Sequence, residues 1–280
     1  MSISDRILLA ANRVFPRPTL PGDVAPDEYA DWEYATSDLV IEMWREAGGC
    51  EPRTALDLGC GLGGKTRRLL ETAPGLRITA LDIEAKHLLQ AEAYHCGRGI
   101  RGIAKIRGDA SRLPFAAGAF HRIVTADTLE HFRDAKQSLR EMRRCVSDDG
   151  RVILIFNPWG SPRGSHLGDV LRLPWCQLLF SRDTLVRATR ESARSAARTL
   201  SGAEAAAMLD FGEELVRHFL EDVHPTRIRD FRRWIHEDGL FAVERDWHRG
   251  PGPLRRARGL SHAWLEEWLS ASYGAVLVPR

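Results

Sequence analysis

Apolar and polar residues follow one pattern between residues 50 and 158 and other patterns outside that stretch. Within it, five short apolar runs are separated in most cases by amphipathic segments of ten or more residues. Such runs are typical of buried strands and such segments of helices. Because strands that alternate with helices form right-handed βαβ units, the pattern predicts a parallel sheet. The five predicted strands cover 54–60, 77–83, 103–109, 119–127 and 150–158.

The chain on either side of this stretch predicts different structure. Four prolines between residues 16 and 26 predict an irregular chain over 1–27, and a helix is predicted over 28–47. Residues 159–226 contain helical patterns and no convincing strand. We interpret this second region as a mainly helical insertion.

Two further strand-like runs follow, at 241–248 and 273–280, with a basic Gly/Pro loop at 250–259 between them. All seven strands together predict an α/β fold. Its centre is a Rossmann-like, mostly parallel seven-stranded sheet with helices on both faces, and the helical insertion follows strand five. The predicted divisions are an N-terminal segment with a covering helix at 1–50, a ligand-binding Rossmann core at 51–158, a helical lid at 159–226, and a C-terminal part that completes the sheet at 227–280.

The composition limits the partners and the compartment. Of the 280 residues, 44% are hydrophobic and 28% are charged, which predicts a packed core. The net charge of +2 provides no basic face for nucleic acid, and no segment has the character of a membrane span or a secretory signal. The five cysteines are odd in number and lack metal-ligand spacing, which favours a reducing compartment. We therefore expect a cytoplasmic protein without a nucleic-acid, membrane or metal partner.

The most specific motif is the stretch ALDLGCGLGG at 55–64, where a predicted strand runs into glycines that open a helix. This arrangement brings the backbone close to a ligand and directs N–H groups at it. The same residues also fit the P-loop pattern, from Gly59 to Gly64 and on through Lys65 and Thr66. Outside a P-loop, these last two residues would have a structural or solvent-facing role.

Acidic residues at the ends of neighbouring strands separate the two interpretations. Asp57 lies within the first strand, where its carboxylate would repel a triphosphate but suits an ammonium group. Strand two ends at Asp82 and strand three at Asp109. A P-loop fold predicts neither acid, although Asp127 could imitate the Walker B aspartate, so nucleotide hydrolysis stays an alternative.

The glycine motif and the acids together resemble the class I S-adenosylmethionine-dependent methyltransferases. The resemblance is to the broad group that contains the ubiquinone/menaquinone-biosynthesis methyltransferases, and it covers 54–158 well and the last strands loosely. The motifs that carry it, in order, are DLGCGLG at 57–63, Asp82, GDASRLPF at 108–115 and LEH at 129–131.

The resemblance implies a binding site for S-adenosylmethionine. Asp82 would accept hydrogen bonds from the ribose hydroxyls, and Asp109 would accept one from the adenine amine. The alternative for both acids is a helix N-cap. Asp57 would help to hold the methionine ammonium group, and Thr125 would face the methionine end. The implied cofactor-binding residues are Asp57, Gly59, Gly61, Asp82, Ile83, Asp109, Ala110 and Thr125.

Methyl transfer from a sulfonium needs alignment and exclusion of water, and it needs a base only if the acceptor must lose a proton. His131, after strand four, is the first candidate base, and its alternative role is packing within its own turn. His166 is the second candidate, in a loop rich in glycine and proline. Candidate acceptor-binding residues in this loop are Asn157, Trp159, Arg163 and His166. The alternative is that the loop merely turns the chain.

The sequence thus supports a methyltransferase, monomeric or homodimeric, that uses S-adenosylmethionine to methylate a small, partly apolar molecule of natural-product or cofactor type at O, N or C. One alternative is a methyltransferase-fold protein that catalyses a cyclisation or elimination with S-adenosylmethionine or S-adenosylhomocysteine bound. The second alternative is a P-loop nucleotide hydrolase.

Overall fold

The computed structural model describes residues 2–14, 25–49, 51–250 and 263–280. Three of the N-terminal prolines, Pro16, Pro18 and Pro21, lie outside the described residues. So does the predicted Gly/Pro loop, apart from Gly250.

The chain divides into two compact units, which we call the helical unit and the sheet unit. The helical unit comprises Met1–Asp23, Asn157–Arg227 and His248–Ser272. The sheet unit comprises Val24–Phe156, Ile228–Trp247 and Tyr273–Arg280.

Seven strands form one mixed sheet in the order β3-β2-β1-β4-β5-β7-β6. Neighbouring strands from β3 to β5 pair in parallel, and β7 pairs with β5 in the antiparallel direction. The strand order reverses between β1 and β4, and in open α/β sheets ligands bind beyond the carboxyl ends of the strands at such a point. The strands are β1 (Thr54–Leu58), β2 (Arg77–Asp82), β3 (Ala104–Arg107), β4 (Phe120–Ala126), β5 (Val146–Phe156), β6 (Phe241–Arg249) and β7 (Ser272–Pro279). The predicted fold class is confirmed.

Helices cover both faces of the sheet because successive strand residues point to opposite sides. On β5, Leu154 packs in one core with Leu139 and Phe231, whereas Ile153 packs in a second core with Trp44. The helices of the sheet unit are α2 (Pro26–Thr36), α3 (Asp38–Glu46), α4 (Gly64–Thr72), α5 (Ala85–Gly97), α6 (Ala135–Cys145) and α10 (Ile228–Glu237).

The predicted helix over 28–47 is in fact two helices, α2 and α3, separated at Ser37. The Ser37 hydroxyl donates to the Tyr34 carbonyl at 2.8 Å. Serine competes for backbone hydrogen bonds in this way, which favours helix ends over helix interiors. The β5 strand also begins earlier than predicted, at Val146, because its pairing with β4 continues across a register shift near Phe120.

The prediction that residues 1–27 are irregular is wrong, because residues 3–12 form a helix in the helical unit. Ser2 and Asp5 form a reciprocal capping box at the start of a helix, and Leu8 of that helix is fully buried. The sequence interpretation relied on the prolines, which begin only at residue 16. The helices of this unit are α1 (Ile3–Asn12), α7 (Cys176–Leu179), α8 (Arg182–Ala197), α9 (Gly202–Glu221) and α11 (Ala263–Leu269).

A separate hydrophobic core holds the helical unit together. It contains Leu8 from α1, Leu171 from the chain before α7, Leu185 from α8 and Phe219 from α9. The buried Asn12 side chain adds polar links, since its amide donates to the Val170 carbonyl at 2.9 Å. None of the described helices is both long and apolar enough to cross a membrane.

Candidate cofactor site and active site

The glycine turn between β1 and α4 is closely packed at one position and has an ordinary van der Waals contact at another. Gly59 has φ +79°, and a Cβ on it would lie 2.4 Å from Thr128 Cγ2, so a larger residue would clash. Gly61 has φ +53°, and the nearest atom to a Cβ built on it is Glu33 Oε1, at 3.6 Å. Gly61 itself is half-buried, so its Cα face is partly accessible.

The N–H groups of this turn are committed inside the protein, contrary to the expectation that they point at a ligand. Gly59 and Cys60 donate to the Leu81 carbonyl at 2.7 and 3.0 Å. Gly61 donates to Asp82 Oδ2 at 2.9 Å. These three N–H groups are thus not available to a ligand, and the turn can instead let a ligand approach the backbone closely at Gly61.

Asp82, at the end of β2, points at the glycine turn as predicted. Besides Gly61, its carboxylate accepts from the Glu84 N–H at 2.9 Å and contacts His87 Nδ1 at 3.3 Å. Burial alone would raise the pKa of Asp82, but these hydrogen bonds outweigh burial and lower it, so the group is ionised. A carboxylate has about four lone-pair sites, so capacity remains for a further donor.

Asp109 lies beside Asp82 at the same edge of the sheet. Residue Asp82 pairs with Arg107 across β2 and β3, and the Gly108 N–H donates to the Asp82 carbonyl at 3.0 Å. The exposed Asp109 carboxylate accepts from both the N–H and the hydroxyl of Ser111, each at 2.8 Å. The two acids therefore occupy neighbouring strand ends, where the resemblance requires them.

Two more of the expected cofactor residues flank these acids. Ala110 is buried, whereas Ile83 is 52% exposed. The Ile83 carbonyl accepts from Arg107 Nε at 3.0 Å. Contact of either residue with adenine or ribose remains a prediction.

Asp57 is buried within β1 and bonded to a neighbour. Its Oδ2 accepts from the Thr66 hydroxyl at 2.5 Å. Burial raises the pKa of Asp57 to about 6, although Thr66 and the charge of Lys65 oppose the rise. The expected structural role of Thr66 is thus visible, and contact of Asp57 with an ammonium group remains a prediction.

Of the two roles expected for Lys65, structural or solvent-facing, its contacts inside the protein favour the structural one. Its Nζ lies 3.0 Å from Asp127 Oδ2 and 3.6 Å from Glu33 Oε1, and it donates to the Ala126 carbonyl at 3.2 Å. Burial opposes the charge, but these two carboxylates outweigh it and raise the pKa of Lys65. A P-loop needs the threonine hydroxyl for Mg²⁺, and here the Thr66 hydroxyl is bonded to Asp57 instead, which argues against nucleotide binding.

Glu33, on α2, is a site residue that sequence reasoning missed. The helix lies directly on the start of α4, since a Cβ on Gly64 would be 2.0 Å from the Ala30 carbonyl oxygen. This contact brings Glu33 to the glycine turn with only 6% of its surface exposed. Nothing in the sequence distinguishes it from the other acids of the helix, because its burial depends on a contact between helices.

Two candidate residues at the end of β4 and after it, one for the cofactor and one for catalysis, make short-range contacts. Thr125 is fully buried, and its hydroxyl shares a hydrogen bond with that of Thr128. His131 ends a single 3₁₀ turn, Leu129–His131, and its N–H donates to the Thr128 carbonyl at 2.9 Å. Its ring is half-buried. The role of His131 as a base remains a prediction, as does contact of Thr125 with the methionine end.

The candidate acceptor residues belong to the helical unit. The Trp159 ring stacks on Phe219 with centroids 6.4 Å apart. The backbone N–H of Trp159 donates to the Thr226 carbonyl at 2.8 Å. His166 has φ +56° and its ring lies 5.8 Å from that of His218. These contacts attach the loop to α9. The other two candidates are Asn157, which is half-buried, and Arg163, which is exposed.

The residues around the glycine turn fit a cofactor with both hydroxyl groups and charged groups. Asp82 offers acceptor capacity at the sheet edge, and Gly61 offers a partly exposed backbone face. No described residue donates a hydrogen bond to the buried oxygen Glu33 Oε2. Such an oxygen is costly unless a ligand pairs with it.

Comparison with known proteins agrees with this geometry. Residues 56–154 match the family model of the methyltransferase domain. The demethylmenaquinone methyltransferase of Thermotoga maritima is 33% identical over 124 residues, which are 44% of this chain and 49% of that protein. The ajmaline N-methyltransferase of Rauvolfia serpentina is 26% identical over 106 residues, 38% of this chain and 36% of that protein. The chain thus spans about half the length, or less, of these curated relatives.

The fold also matches a solved structure over nearly the whole chain. The PH0226 protein from Pyrococcus horikoshii OT3 superposes with a TM-score of 0.53 at 21% identity, covering 97% of this chain and 99% of that one. This likeness concerns the fold, whereas the motifs and the family match concern the cofactor domain. In its motifs, its sheet order and its match over residues 56–154, the core of this chain is similar to the class I S-adenosylmethionine-dependent methyltransferases.

Proposed function

We propose that this protein transfers a methyl group from S-adenosylmethionine to a small-molecule acceptor. The observation that carries the proposal is the Asp82 carboxylate, ionised, bonded to Gly61 N–H and beside Asp109 at the next strand end. An acid in this place suits two vicinal ribose hydroxyls. The partly exposed Gly61, which carries no side chain, suits close approach of the sugar or the methionine portion.

Each of these side chains has a defined part in the proposed reaction. S-adenosylmethionine supplies the reactive methyl group when it is bound. Asp82 and Asp109 orient the ribose and the adenine, so the rest of the cofactor has one defined direction at the sheet edge. His131 accepts a proton from the acceptor if the acceptor must lose one, since imidazole is an effective base near neutral pH.

The relatives support a small-molecule acceptor for this chain. One is named for demethylmenaquinone and one for the alkaloid ajmaline. We place the acceptor against the loop residues Asn157, Trp159, Arg163 and His166, whose mixture of aromatic and polar groups suits a partly apolar molecule. The acting species would be a monomer or a homodimer, without nucleic acid or membrane as partner.

Two titrations test the cofactor assignment. The protein should bind S-adenosylhomocysteine in a calorimetric titration and should not bind ATP with Mg²⁺. Binding of ATP alone would favour the P-loop alternative and defeat the proposal.

A turnover experiment tests methyl transfer itself. Incubation with S-adenosylmethionine and a panel of quinol, phenol and amine acceptors should release S-adenosylhomocysteine together with a product 14 mass units heavier. Conversion of an acceptor without release of S-adenosylhomocysteine would favour the non-methylating alternative.

A further inference from the structure

Two oppositely charged side chains lie on the side of the glycine turn that Asp82 does not occupy. Gly61 directs its N–H at Asp82, whereas the position of a Cβ on Gly61 faces Glu33 Oε1 at 3.6 Å. The Lys65 ammonium group lies 3.6 Å from the same oxygen. Glu33 and Lys65 thus form a pair of opposite charges at the partly accessible face of Gly61.

The pair is buried, and one of its oxygens is unsatisfied. Glu33 is 6% exposed, and its Oε2 receives no hydrogen bond from any described residue. Burial raises the pKa of Glu33, the charge of Lys65 opposes this, and the nearby Asp57 adds to the rise. A buried charge without full pairing destabilises a protein, and such residues cluster at functional sites.

The Lys65 ammonium group has three N–H donors, and two acceptors, Asp127 Oδ2 and the Ala126 carbonyl oxygen, lie within hydrogen-bond distance of it. Asp127 Oδ2, Glu33 Oε1 and the Ala126 carbonyl oxygen lie 3.0, 3.6 and 3.2 Å from Nζ. Asp127 has a positive φ of 60°, which is uncommon for a residue other than glycine. The end of β4 therefore holds a cation close to the glycine turn.

We propose that Glu33 and Lys65 together bind the amino-acid end of the cofactor, with Glu33 accepting from its ammonium group and Lys65 donating to its carboxylate. This inference rests on the proposed function, which supplies the ligand. An α-amino acid carries one positive and one negative charge within a few ångströms, so it needs one partner of each sign. The Glu33–Lys65 pair offers both signs at one place.

The other acids near the turn are less suited to the ammonium group. Asp57 is 2% exposed, and its Oδ2 is bonded to the Thr66 hydroxyl. Asp82 already accepts from its own chain and is assigned to the ribose. Among these carboxylates, Glu33 is the one with a buried oxygen that no described residue satisfies.

A pair of ligands isolates the amino-acid end from the rest of the cofactor. S-adenosylhomocysteine carries it, whereas 5′-methylthioadenosine has the same adenine, ribose and sulfur without it. The Lys65→Met and Glu33→Gln variants should each weaken S-adenosylhomocysteine binding about tenfold, the loss expected for one charge-assisted hydrogen bond. Each variant should leave 5′-methylthioadenosine affinity within about twofold of wild type. The inference would be overturned if the variants weakened the binding of both ligands equally, or if they weakened the binding of neither.

Control variants separate this inference from the proposed function. Asp82→Asn should weaken the binding of both ligands, because both contain the ribose. Lys136→Met should leave the affinity for both ligands unchanged. It is a matched control because Lys136 also lies between two carboxylates, at 3.1 Å from Glu237 and 3.2 Å from Asp238. A wild-type protein that binds neither ligand defeats the proposed function. The inference alone is defeated if the wild type binds both ligands but the Lys65→Met and Glu33→Gln variants keep its ratio of affinities for S-adenosylhomocysteine and 5′-methylthioadenosine.

A third ligand tests the Lys65 contact without any variant. S-adenosyl-3-thiopropylamine keeps the amine of S-adenosylhomocysteine and lacks its carboxylate. The wild type should bind it about tenfold more weakly than S-adenosylhomocysteine, because Lys65 would lose its partner. Equal affinity for the two would contradict the role of Lys65 even if the variants failed to fold.

Discussion

The carboxylate of Asp82 accepts hydrogen bonds from the backbone of Gly61 and Glu84 and contacts the ring of His87. These contacts fix its orientation and keep it ionised before any ligand binds. Pre-organised acceptors of this kind bind hydroxyl groups with little loss of side-chain freedom. Substitution of Asp82 is therefore a direct test of the cofactor assignment.

Asp82→Asn should weaken S-adenosylhomocysteine binding by about 1–3 kcal/mol, because a charged acceptor is replaced by a neutral one. Calorimetric titration measures the change. Asp148→Asn is the control, since that carboxylate is 93% exposed and pairs only with Arg143 among the described contacts. An unchanged affinity in Asp82→Asn would remove the residue from the site.

His131→Asn should lower turnover by about a hundredfold or more if the histidine acts as a base, while cofactor affinity stays constant. The measurement is turnover with saturating acceptor, alongside titration with S-adenosylhomocysteine. Full turnover in this variant would leave His131 as a residue that only packs within the turn Leu129–His131.

The raised pKa of Asp57 makes stability depend on pH in a defined direction. The folded protein binds this proton more tightly than the unfolded chain, so the stabilisation is present at low pH and is lost as the pH rises from about 4 through about 6. Asp57→Asn cannot ionise. The unfolding free energy of wild type relative to this variant should therefore fall by about 2 kcal/mol between pH 4 and pH 7.

Urea unfolding at several pH values measures this difference. The corresponding comparison with Asp148→Asn should show no such fall, because that carboxylate is exposed. A constant difference for Asp57→Asn would mean that burial does not perturb the group.

At the scale of elements, the contact between α2 and α4 forms one side of the site. The helices approach so closely at Gly64 that a side chain there would meet the Ala30 carbonyl, and the same approach brings Glu33 to the glycine turn. Sequence periodicity placed a helix over most of this region but treated α2 and α3 as one. It could not reveal which face of α2 is buried, because the partner helix is more than 25 residues away.

Gly64→Ala should destabilise the protein by about 1–3 kcal/mol, because a backbone oxygen lies 2.0 Å from the new Cβ and α2 must move. Urea unfolding measures the loss. Gly97→Ala is a matched control at the end of α5, where a Cβ meets nothing within 4 Å. That variant should be neutral or more stable by about 0.4–1 kcal/mol, since alanine restricts the unfolded chain. Similar losses in both variants would contradict the close contact.

At the scale of the whole molecule, the chain comprises a sheet unit with the cofactor motifs and a helical unit with a core of its own. Binding of a ligand to the folded state alone raises the free energy of unfolding by mass action. S-adenosylhomocysteine at a hundredfold excess over its Kd should therefore stabilise the protein by about 2.7 kcal/mol.

Thermal unfolding with and without the ligand measures this stabilisation. Asp82→Asn at the same ligand concentration should show a smaller shift, because its sites are less occupied. A wild type whose unfolding temperature does not change under these conditions would contradict cofactor binding.

The amino-acid sequence by itself determined the succession of the seven strands, the glycine turn and the acids at the strand ends. These features are local, since the periodicity of a segment and the residue that ends a strand depend on short stretches of chain. The parallel register then places Asp82 and Asp109 side by side, because the carboxyl ends of parallel strands lie at one edge.

Only the tertiary structure decided what depends on contacts between distant segments. The N-terminal helix α1 is stable because Leu8 enters a core formed with residues near 170, 185 and 219. Lys65 was expected to have a structural or solvent-facing role, and it pairs with Asp127 and Glu33 because the end of β4 and helix α2 converge on it. Burial and ionic pairing are properties of three-dimensional neighbours, so the pattern of a single segment cannot specify them.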